Sequence, residues 1–162
     1  MSGPNGQITI RRATDADAVE AASLLRRSIT ELCVPDHGND TARLSHWLSN
    51  KTPEHFRGWL ADPLNTIFVA ILDGRIASAG GIREGEGIVL NYIHPEMRFR
   101  GVSSAMMDHL EAELARSGAS HVDLVSTITA RRFYERRGYT ERNLPPEQRP
   151  PYGIAMRKRL GL

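Results

Sequence analysis

Residues 90–107 read LNYIHPEMRFRGVSSAMM, and this stretch decides the fold. An apolar, strand-like segment ends at Pro95, which cannot donate to a β-ladder. A short basic loop with Gly101 follows, and from Val102 the apolar residues recur at helical spacing. A loop that opens a long helix presents unpaired backbone N–H groups to an anion at the positive helix end. The stretch therefore predicts a phosphate site. The alternative is an ordinary helix start with solvated arginines.

The side chains around Gly101 fit this prediction. Glycine lets a backbone approach a ligand closely, and the small residues Ser103 and Ser104 keep the mouth of the helix open. Arg98 and Arg100 add positive charge. The segment lacks GxxxxGK[ST] and GxGxxG, which excludes the Walker loop and the dinucleotide fingerprint.

The segment His94–Ser103 resembles the acetyl-CoA loop of the GCN5-related N-acetyltransferases. In that family a hydrophobic residue, any residue and Pro precede Arg/Gln-x-x-Gly-x-Gly/Ala. Ile93, Pro95, Arg98 and Gly101 match the pattern, whereas Ser103 stands where the family has Gly or Ala. We expect this serine to reduce cofactor contact rather than abolish it.

A second segment, residues 130–139 (ARRFYERRGY), resembles the late motif of the same family, A-x-x-x-Y-E-x-x-G-[FY]. Relatives often carry Asn three residues before the Ala, and here that position is Thr127. A contact to the pantetheine amide is then either lost or made by the threonine hydroxyl. The two motifs are separated by a predicted helix and strand, as the family requires.

The resemblance implies an α/β (α+β) fold: a mixed, mostly antiparallel twisted sheet flanked by helices and splayed between the fourth and fifth strands. Acetyl-CoA, as co-substrate, is implied to lie in that cleft, with its pyrophosphate on the backbone of the loop and its pantetheine on the strand edge. The residues implied to contact it are Ile93, His94, Arg98, Phe99, Arg100, Gly101, Val102, Ser103, Ser104, Thr127 and Arg131.

The implied chemistry is direct acetyl transfer to a primary amine. Tyr134 holds the motif position of the acid that protonates the leaving thiolate; otherwise it is a core aromatic residue. The general base that deprotonates the amine has three candidates: Glu86, Asn91 and a water molecule. Glu86 lies in a Gly-rich turn where acids are usually solvated, and Asn91 is either a cleft residue or a satisfied core amide.

The acceptor is expected near the polar loop at residues 33–40. Asp36 and His37 are candidates for binding it, and Trp47 could form a cation–π wall. A metal site at Cys33, His37 and His46 is disfavoured, because there is one cysteine and no acid at suitable spacing.

The length of 162 residues predicts one domain, at 7–162, after a flexible N-terminus at 1–6. Hydropathy predicts strands over 7–12, 66–72, 75–84, 88–95, 121–127 and 152–160, and helices over 14–32, 40–50, 53–61, 102–117 and 129–138. We find no signal peptide and no apolar run long enough to cross a membrane, and one cysteine excludes a disulfide framework. A cytoplasmic location is expected.

The net charge of +2 argues against a nucleic-acid partner, although arginines cluster at 131–137. The favoured function is an acetyl-CoA-dependent N-acetyltransferase acting on a small-molecule or protein amine. The alternative is a non-catalytic acyl-CoA-binding module of the same fold. A homodimer is left open, and no membrane partner is expected.

Overall fold

In a computed structural model that describes residues 6–161, a seven-stranded sheet organises the chain. The strand order is β1-β2-β3-β4-β5-β7-β6, and neighbours are antiparallel except β4 and β5, which are parallel. The strands are β1 (Thr9–Arg12), β2 (Asn65–Leu72), β3 (Arg75–Arg83), β4 (Gly87–Ile93), β5 (His121–Ser126), β6 (Thr140–Glu141) and β7 (Ile154–Arg159). Of the N-terminus predicted to be flexible, residues 1–5 lie outside the described part.

Six α-helices flank the sheet in the described residues. They are α1 (Ala18–Leu32), α2 (Val34–His37), α3 (Thr41–Leu48), α4 (Pro53–Ala61), α5 (Val102–Arg116) and α6 (Arg131–Arg136), with 3-10 turns at Asp15–Asp17, Pro95–Met97 and Pro146–Gln148. Local chemistry fixes their starts: the Asp40 and Thr52 side chains accept hydrogen bonds from the first turns of α3 and α4. No helix within residues 6–161 has the length and apolarity that a membrane span requires.

Two hydrophobic layers cover the two faces of the sheet. On one face α1 and α4 pack over β2, β3 and β4, with Leu25, Phe56 and Val69 fully buried. On the other face α5 packs over β3 and β4, with Met106 and Leu110 in its core. In the described residues α1 and α4 make their main contacts with β2, β3 and β4, and the same face of β5 and β7 has no comparable helical layer. That uncovered face borders the site described below.

The sheet splays open between β4 and β5. Their register consists of one pair, Ile88 with Leu124, and in the described chain no later residue of β4 pairs with β5. Gly87 allows the close approach at the joined end, since a Cβ there would lie 2.2 Å from the carbonyl oxygen of Asp123. Beyond Ile88 the two strands diverge and leave a cleft. The predicted fold class and the position of the splay are confirmed.

Some boundaries differ from the prediction. The strand predicted over 88–95 ends at Ile93, because His94 already caps the 3-10 turn that begins at Pro95. Strand β6 has two residues, too few for a periodic pattern, and was not predicted. The Asp73-Gly74 turn joins β2 to β3, and both residues have positive φ, 53° and 72°. The ring of His109 on α5 packs edge-on against Phe68 of β2, with the ring centroids 4.4 Å apart.

Candidate active site

The free edge of β4 lines the cleft. The N–H of His94 donates to Ala77 of β3 at 2.8 Å. In an antiparallel ladder, alternate residues exchange both hydrogen bonds with the partner strand. His94 and Tyr92 therefore direct their backbone groups toward β3. The intervening residues, Asn91 and Ile93, direct theirs into the splay. The N–H of Ile93 is thus available to a ligand in the cleft.

A hydrogen bond joins the two candidate catalytic side chains across the cleft. The Asn91 side-chain amide on β4 donates to the Tyr134 hydroxyl on α6 at 2.9 Å. Asn91 follows Leu90 on the alternating strand, so it faces α5 and α6 rather than α1. Because the Tyr134 oxygen accepts from Asn91, its own proton is free for another acceptor. This arrangement fits a proton donor.

The environment of Tyr134 keeps that proton in place. The side chain is 5% exposed and packs edge-on against Phe133 and Tyr139, with centroids 5.3 and 5.6 Å away. Burial raises the pKa of Tyr134, and the hydrogen bond from Asn91 offsets only part of that rise. The hydroxyl therefore stays protonated at neutral pH. Tyr134 is a core residue, as one of its two sequence-based interpretations expects, and its role as an acid stays a prediction.

The loop between β4 and α5 carries the predicted row of backbone donors. In the part of the chain that the structure describes, the N–H groups from Arg98 to Ser104 meet no protein acceptor. Gly101 caps α5 with φ of 80°, and no atom lies within 4 Å of where its Cβ would be. The open space beside Gly101 and the unpaired N–H groups fit a phosphate. Val102 is fully buried, so it can offer only its backbone.

The basic side chains of this loop occupy different places. Arg98 stacks over the ring of Phe99, which is 91% exposed, at 4.6 Å. Arg100 is instead paired with Asp73 at 3.0 Å and also contacts Met97. Ser104 is exposed and Ser103 half-buried at the mouth of the helix. Arg98 is thus the arginine of the pair that is free to meet a phosphate.

His94 is placed differently from the prediction that it contacts the cofactor. Its Nδ1 accepts from the backbone N–H of Glu96 at 3.1 Å, and its Nε2 lies 3.3 Å from Arg27 and 3.4 Å from Arg75. Burial, followed by the two guanidinium groups, lowers the pKa of His94. The ring is therefore neutral, and it supports the loop from behind instead of facing the cleft. The prediction that His94 contacts the cofactor rested on its position beside Pro95, and this position does not reveal the direction of the side chain.

Thr127 and Arg131 lie at the start of α6. The Thr127 hydroxyl accepts from the N–H of Ala130 at 3.0 Å and lines the cleft, so its own proton is free to donate. The guanidinium of Arg131 is paired with Glu135 and Glu141 at 3.3 and 3.2 Å. Thr127 thus fits the predicted hydroxyl contact, whereas Arg131 is held by internal ion pairs.

The wall on the α1 side of the cleft is aromatic and neutral. The side chain of Tyr92, which the sequence analysis did not single out, lies beside Cys33 and Trp47. Burial raises the pKa of Tyr92 and raises the pKa of Cys33 to about 12. Cys33 is accordingly an inert thiol, and Trp47 is half-buried. Tyr92 could have been found from its alternation with Leu90 on an apolar strand face.

Asp36 and His37 are committed to internal contacts, which does not suit the predicted role in substrate binding. The Asp36 carboxylate accepts from the N–H groups of Ile128 and Thr129 at 2.7 and 3.1 Å, and from the Thr129 hydroxyl at 2.6 Å. It thereby ties α2 to the loop before α6. His37 is 1% exposed, and both ring nitrogens have backbone partners, including the Ile29 carbonyl at 3.0 Å.

Glu86 lies at the joined end of the cleft, away from Tyr134. It is exposed and paired with Arg83 at 3.3 Å. At a rise of about 3.3 Å per residue, it is roughly 16 Å along β4 from Asn91. Asn91 and Tyr134 come together, but Glu86 does not join them. Residues 6–161 contain no cluster of three potential metal ligands.

The cleft encloses about 530 Å³ between these walls. Arg142 also lines it, and sequence analysis missed this residue because its position depends on strands far apart in the chain. The cleft therefore brings the Asn91–Tyr134 pair together with the charged side chains of its joined end, Glu86, Asp123 and Arg142.

Comparison with known proteins agrees with this geometry. The model of the acetyltransferase (GNAT) domain matches residues 33–160. A GCN5-related N-acetyltransferase from Rhodopseudomonas palustris is similar in structure, with a TM-score of 0.82 and 22% identity over 94% of this chain and 95% of that one. The PaiA N-acetyltransferase from Thermoplasma acidophilum, solved with coenzyme A, is similar with a TM-score of 0.78 and 12% identity over 95% of this chain and 99% of that one.

A GNAT-family acetyltransferase from Staphylococcus aureus Mu50 is also similar, with a TM-score of 0.67 and 16% identity over 96% of this chain and 100% of that one. No curated protein sequence matches the chain significantly. The domain match spans well over half of the chain and includes both motifs and most of the residues that line the cleft. The chain belongs to the GNAT family of acetyltransferases.

Proposed function

We propose that this chain is an acetyl-CoA-dependent N-acetyltransferase that moves the acetyl group directly to a primary amine. The observation that carries the proposal is the Asn91–Tyr134 hydrogen bond, which places a protonated hydroxyl in the splay beside the free edge of β4. The row of unpaired N–H groups at residues 98–104 supports it, since it offers a site for the pyrophosphate. When bound, acetyl-CoA supplies the thioester.

In this reaction the loop before α5 binds the phosphates of acetyl-CoA, and the free edge of β4 polarises the thioester carbonyl. The N–H groups around Gly101, together with Arg98, hold the phosphates, and the Thr127 hydroxyl donates to an amide of the pantetheine arm. The N–H of Ile93 donates to the thioester oxygen, where negative charge develops. A donor fixed in a β-strand needs no reorganisation at that moment, which favours the transition state.

Tyr134 delivers a proton to the leaving sulfur, and the proton that the nitrogen loses as the amide forms returns to the tyrosinate. Because burial raises the pKa of this phenol, it is a weaker acid than a thiol of pKa about 8.5, and the transfer depends on fixed geometry. The hydrogen bond from Asn91 and the packing of Phe133 and Tyr139 supply that geometry. The Asn91 amide oxygen has no protein partner in the described chain, so it can accept from the acceptor amine.

The acceptor must lose a proton before it attacks. A lysine-like amine has a pKa of about 10.4 and is almost fully protonated at pH 7. In the described residues no carboxylate or histidine reaches the Asn91–Tyr134 pair, so we assign this proton to water. The apparent second-order rate should therefore rise with pH up to the pKa of the amine.

The test combines binding with turnover. Acetyl-CoA at one hundred times its dissociation constant should stabilise the fold by about 2.7 kcal/mol, measured as a shift in melting temperature. Release of free CoA should then depend on added amine, followed with a thiol reagent. A melting shift without amine-dependent release identifies a non-catalytic acyl-CoA-binding module. The absence of both the melting shift and the amine-dependent release of CoA would refute the proposed function.

A further inference from the structure

A charged cluster lies at the joined end of the cleft, on the sheet face that no helix covers. Its centre is Asp123 of β5, whose carboxylate is held in a two-point contact by Arg157 of β7. The Arg157 Nε donates at 2.6 Å and its Nη2 at 2.9 Å. The same contact lowers the pKa of Asp123, so the carboxylate remains charged. Asp123 is therefore already neutralised by one arginine.

A second arginine reaches the same place from β6. The backbone N–H of Arg142 donates to Ala155 of β7 at 2.8 Å, and its side chain crosses that small residue toward β5. Its guanidinium stands 3.6 Å from Asp123, beyond hydrogen-bond distance. Within residues 6–161 the guanidinium makes no hydrogen bond, although 31% of the side chain is exposed and it lines the cleft. Its planar set of donors is thus available to a ligand.

Around Asp123 the positive charges outnumber the negative ones. Arg142 and Arg157 face the single carboxylate of Asp123. His121, 3.5 Å from Asp123, adds charge only when protonated. Glu86 also lines this end, and it shares Arg83 with Asp62, which lies 2.8 Å from that guanidinium. The excess of positive charge is therefore confined to Arg142 beside Asp123, and an acceptor carboxylate that reaches Arg142 neutralises it.

We propose that Arg142 binds the carboxylate of the amine acceptor, which makes this chain specific for an elongated amine with an anionic far end. The inference rests on the proposed function. Guanidinium and carboxylate form paired, charge-assisted hydrogen bonds that fix orientation as well as position. Arg142 would then set the direction in which the acceptor enters the cleft.

The structure also sets the length of this acceptor. Asp123 precedes Leu124, the partner of Ile88, so Asp123 lies level with Gly87 on the parallel strand. Asn91 is four residues further along β4, roughly 13 Å at the usual rise of a strand. An α-amino acid is too short to join the two ends. An acceptor of about the length of 8-aminooctanoate spans them.

The experiment compares acceptor amines of increasing length, with and without a terminal carboxylate. ω-Amino acids from β-alanine through 6-aminohexanoate and 8-aminooctanoate to 11-aminoundecanoate are compared with octylamine and 1,8-diaminooctane, which lack the carboxylate. Binding is measured by calorimetry with and without CoA, and turnover by CoA release. The test variants are Arg142→Gln and Arg142→Lys. The control is Arg159→Gln, which removes the same charge from β7 at a residue that does not line the cleft.

We expect a maximum in affinity and rate near 8-aminooctanoate, with octylamine and the diamine about tenfold weaker. Arg142→Gln should abolish this preference and Arg142→Lys should retain part of it, while Arg159→Gln should behave like the wild type. Acetylation of octylamine as good as that of 8-aminooctanoate would overturn the carboxylate contact while leaving the transferase standing. Absence of binding by every acid, with CoA bound normally, would also overturn it. Failure to bind CoA would instead refute the proposed function.

Discussion

Removing the Tyr134 hydroxyl separates catalysis from packing. Tyr134→Phe keeps the ring in contact with Phe133 and Tyr139 and deletes only the oxygen that accepts from Asn91 at 2.9 Å. Asn91 is half-buried, so water can satisfy its amide, and the loss should be that of one net hydrogen bond, about 1 kcal/mol. For a chain of this size that lowers the melting temperature by about 2–4 °C.

The effect on the rate should be much larger. A general acid typically contributes 10²–10⁴-fold, about 3–5 kcal/mol of transition-state stabilisation. The affinity for acetyl-CoA should barely change, because the phosphates carry most of the binding. The assay is single-turnover acetyl transfer with saturating amine, together with a melting curve and a CoA titration on the same preparation.

Tyr139→Phe is the matched control. It deletes another buried hydroxyl, one that donates to Glu111 at 3.2 Å outside the cleft lining. This variant should lose comparable stability and keep its rate. A wild-type single-turnover rate in Tyr134→Phe would refute the role of the hydroxyl as proton donor and leave Tyr134 as a packing residue.

Three further predictions follow from the loop and its supports. Gly101→Val should weaken CoA binding at least tenfold in calorimetry, because a β-branched residue is strained at φ of 80° and fills the open space; unchanged affinity would place the phosphates elsewhere. The pKa of His94 is lowered in the fold, so its contribution to stability is present above about pH 6.5 and declines as the pH falls below that value. His94→Gln should flatten the melting temperature between pH 7 and 5, and an identical slope would exclude His94 as the cause. Asp36→Ala should cost about 1–3 kcal/mol in urea unfolding, because it frees three donors of Ile128 and Thr129; a loss below about 0.5 kcal/mol would contradict that anchoring role.

The open loop before α5 and the place of Tyr134 on α6 could be predicted because their signals are local. Gly101 and the basic loop stand next to each other in sequence, and the helix that follows has an unmistakable period. Tyr134 sits within a compact motif. The free edge of β4 follows from the splay, which the order of elements implies once the family is recognised.

The acceptor side could not be predicted in the same way, because its contacts are long-range. Asp36 is polar and near the cleft, but its partners Ile128 and Thr129 come from the other half of the chain and use up its carboxylate. His37 looks like a ligand residue, yet burial against the Ile29 carbonyl makes it structural. Arg142 follows a two-residue strand, and only the order β5-β7-β6 brings its guanidinium to Asp123.

A crystal structure of the chain with acetyl-CoA or CoA tests the central claim most directly. The account predicts that the pyrophosphate oxygens accept hydrogen bonds from the N–H groups around Gly101, that the pantetheine follows the free edge of β4 at Ile93, and that the sulfur lies within hydrogen-bond distance of the Tyr134 hydroxyl. A cofactor bound outside the splay of β4 and β5, or one in the splay with its sulfur remote from Tyr134, would contradict it.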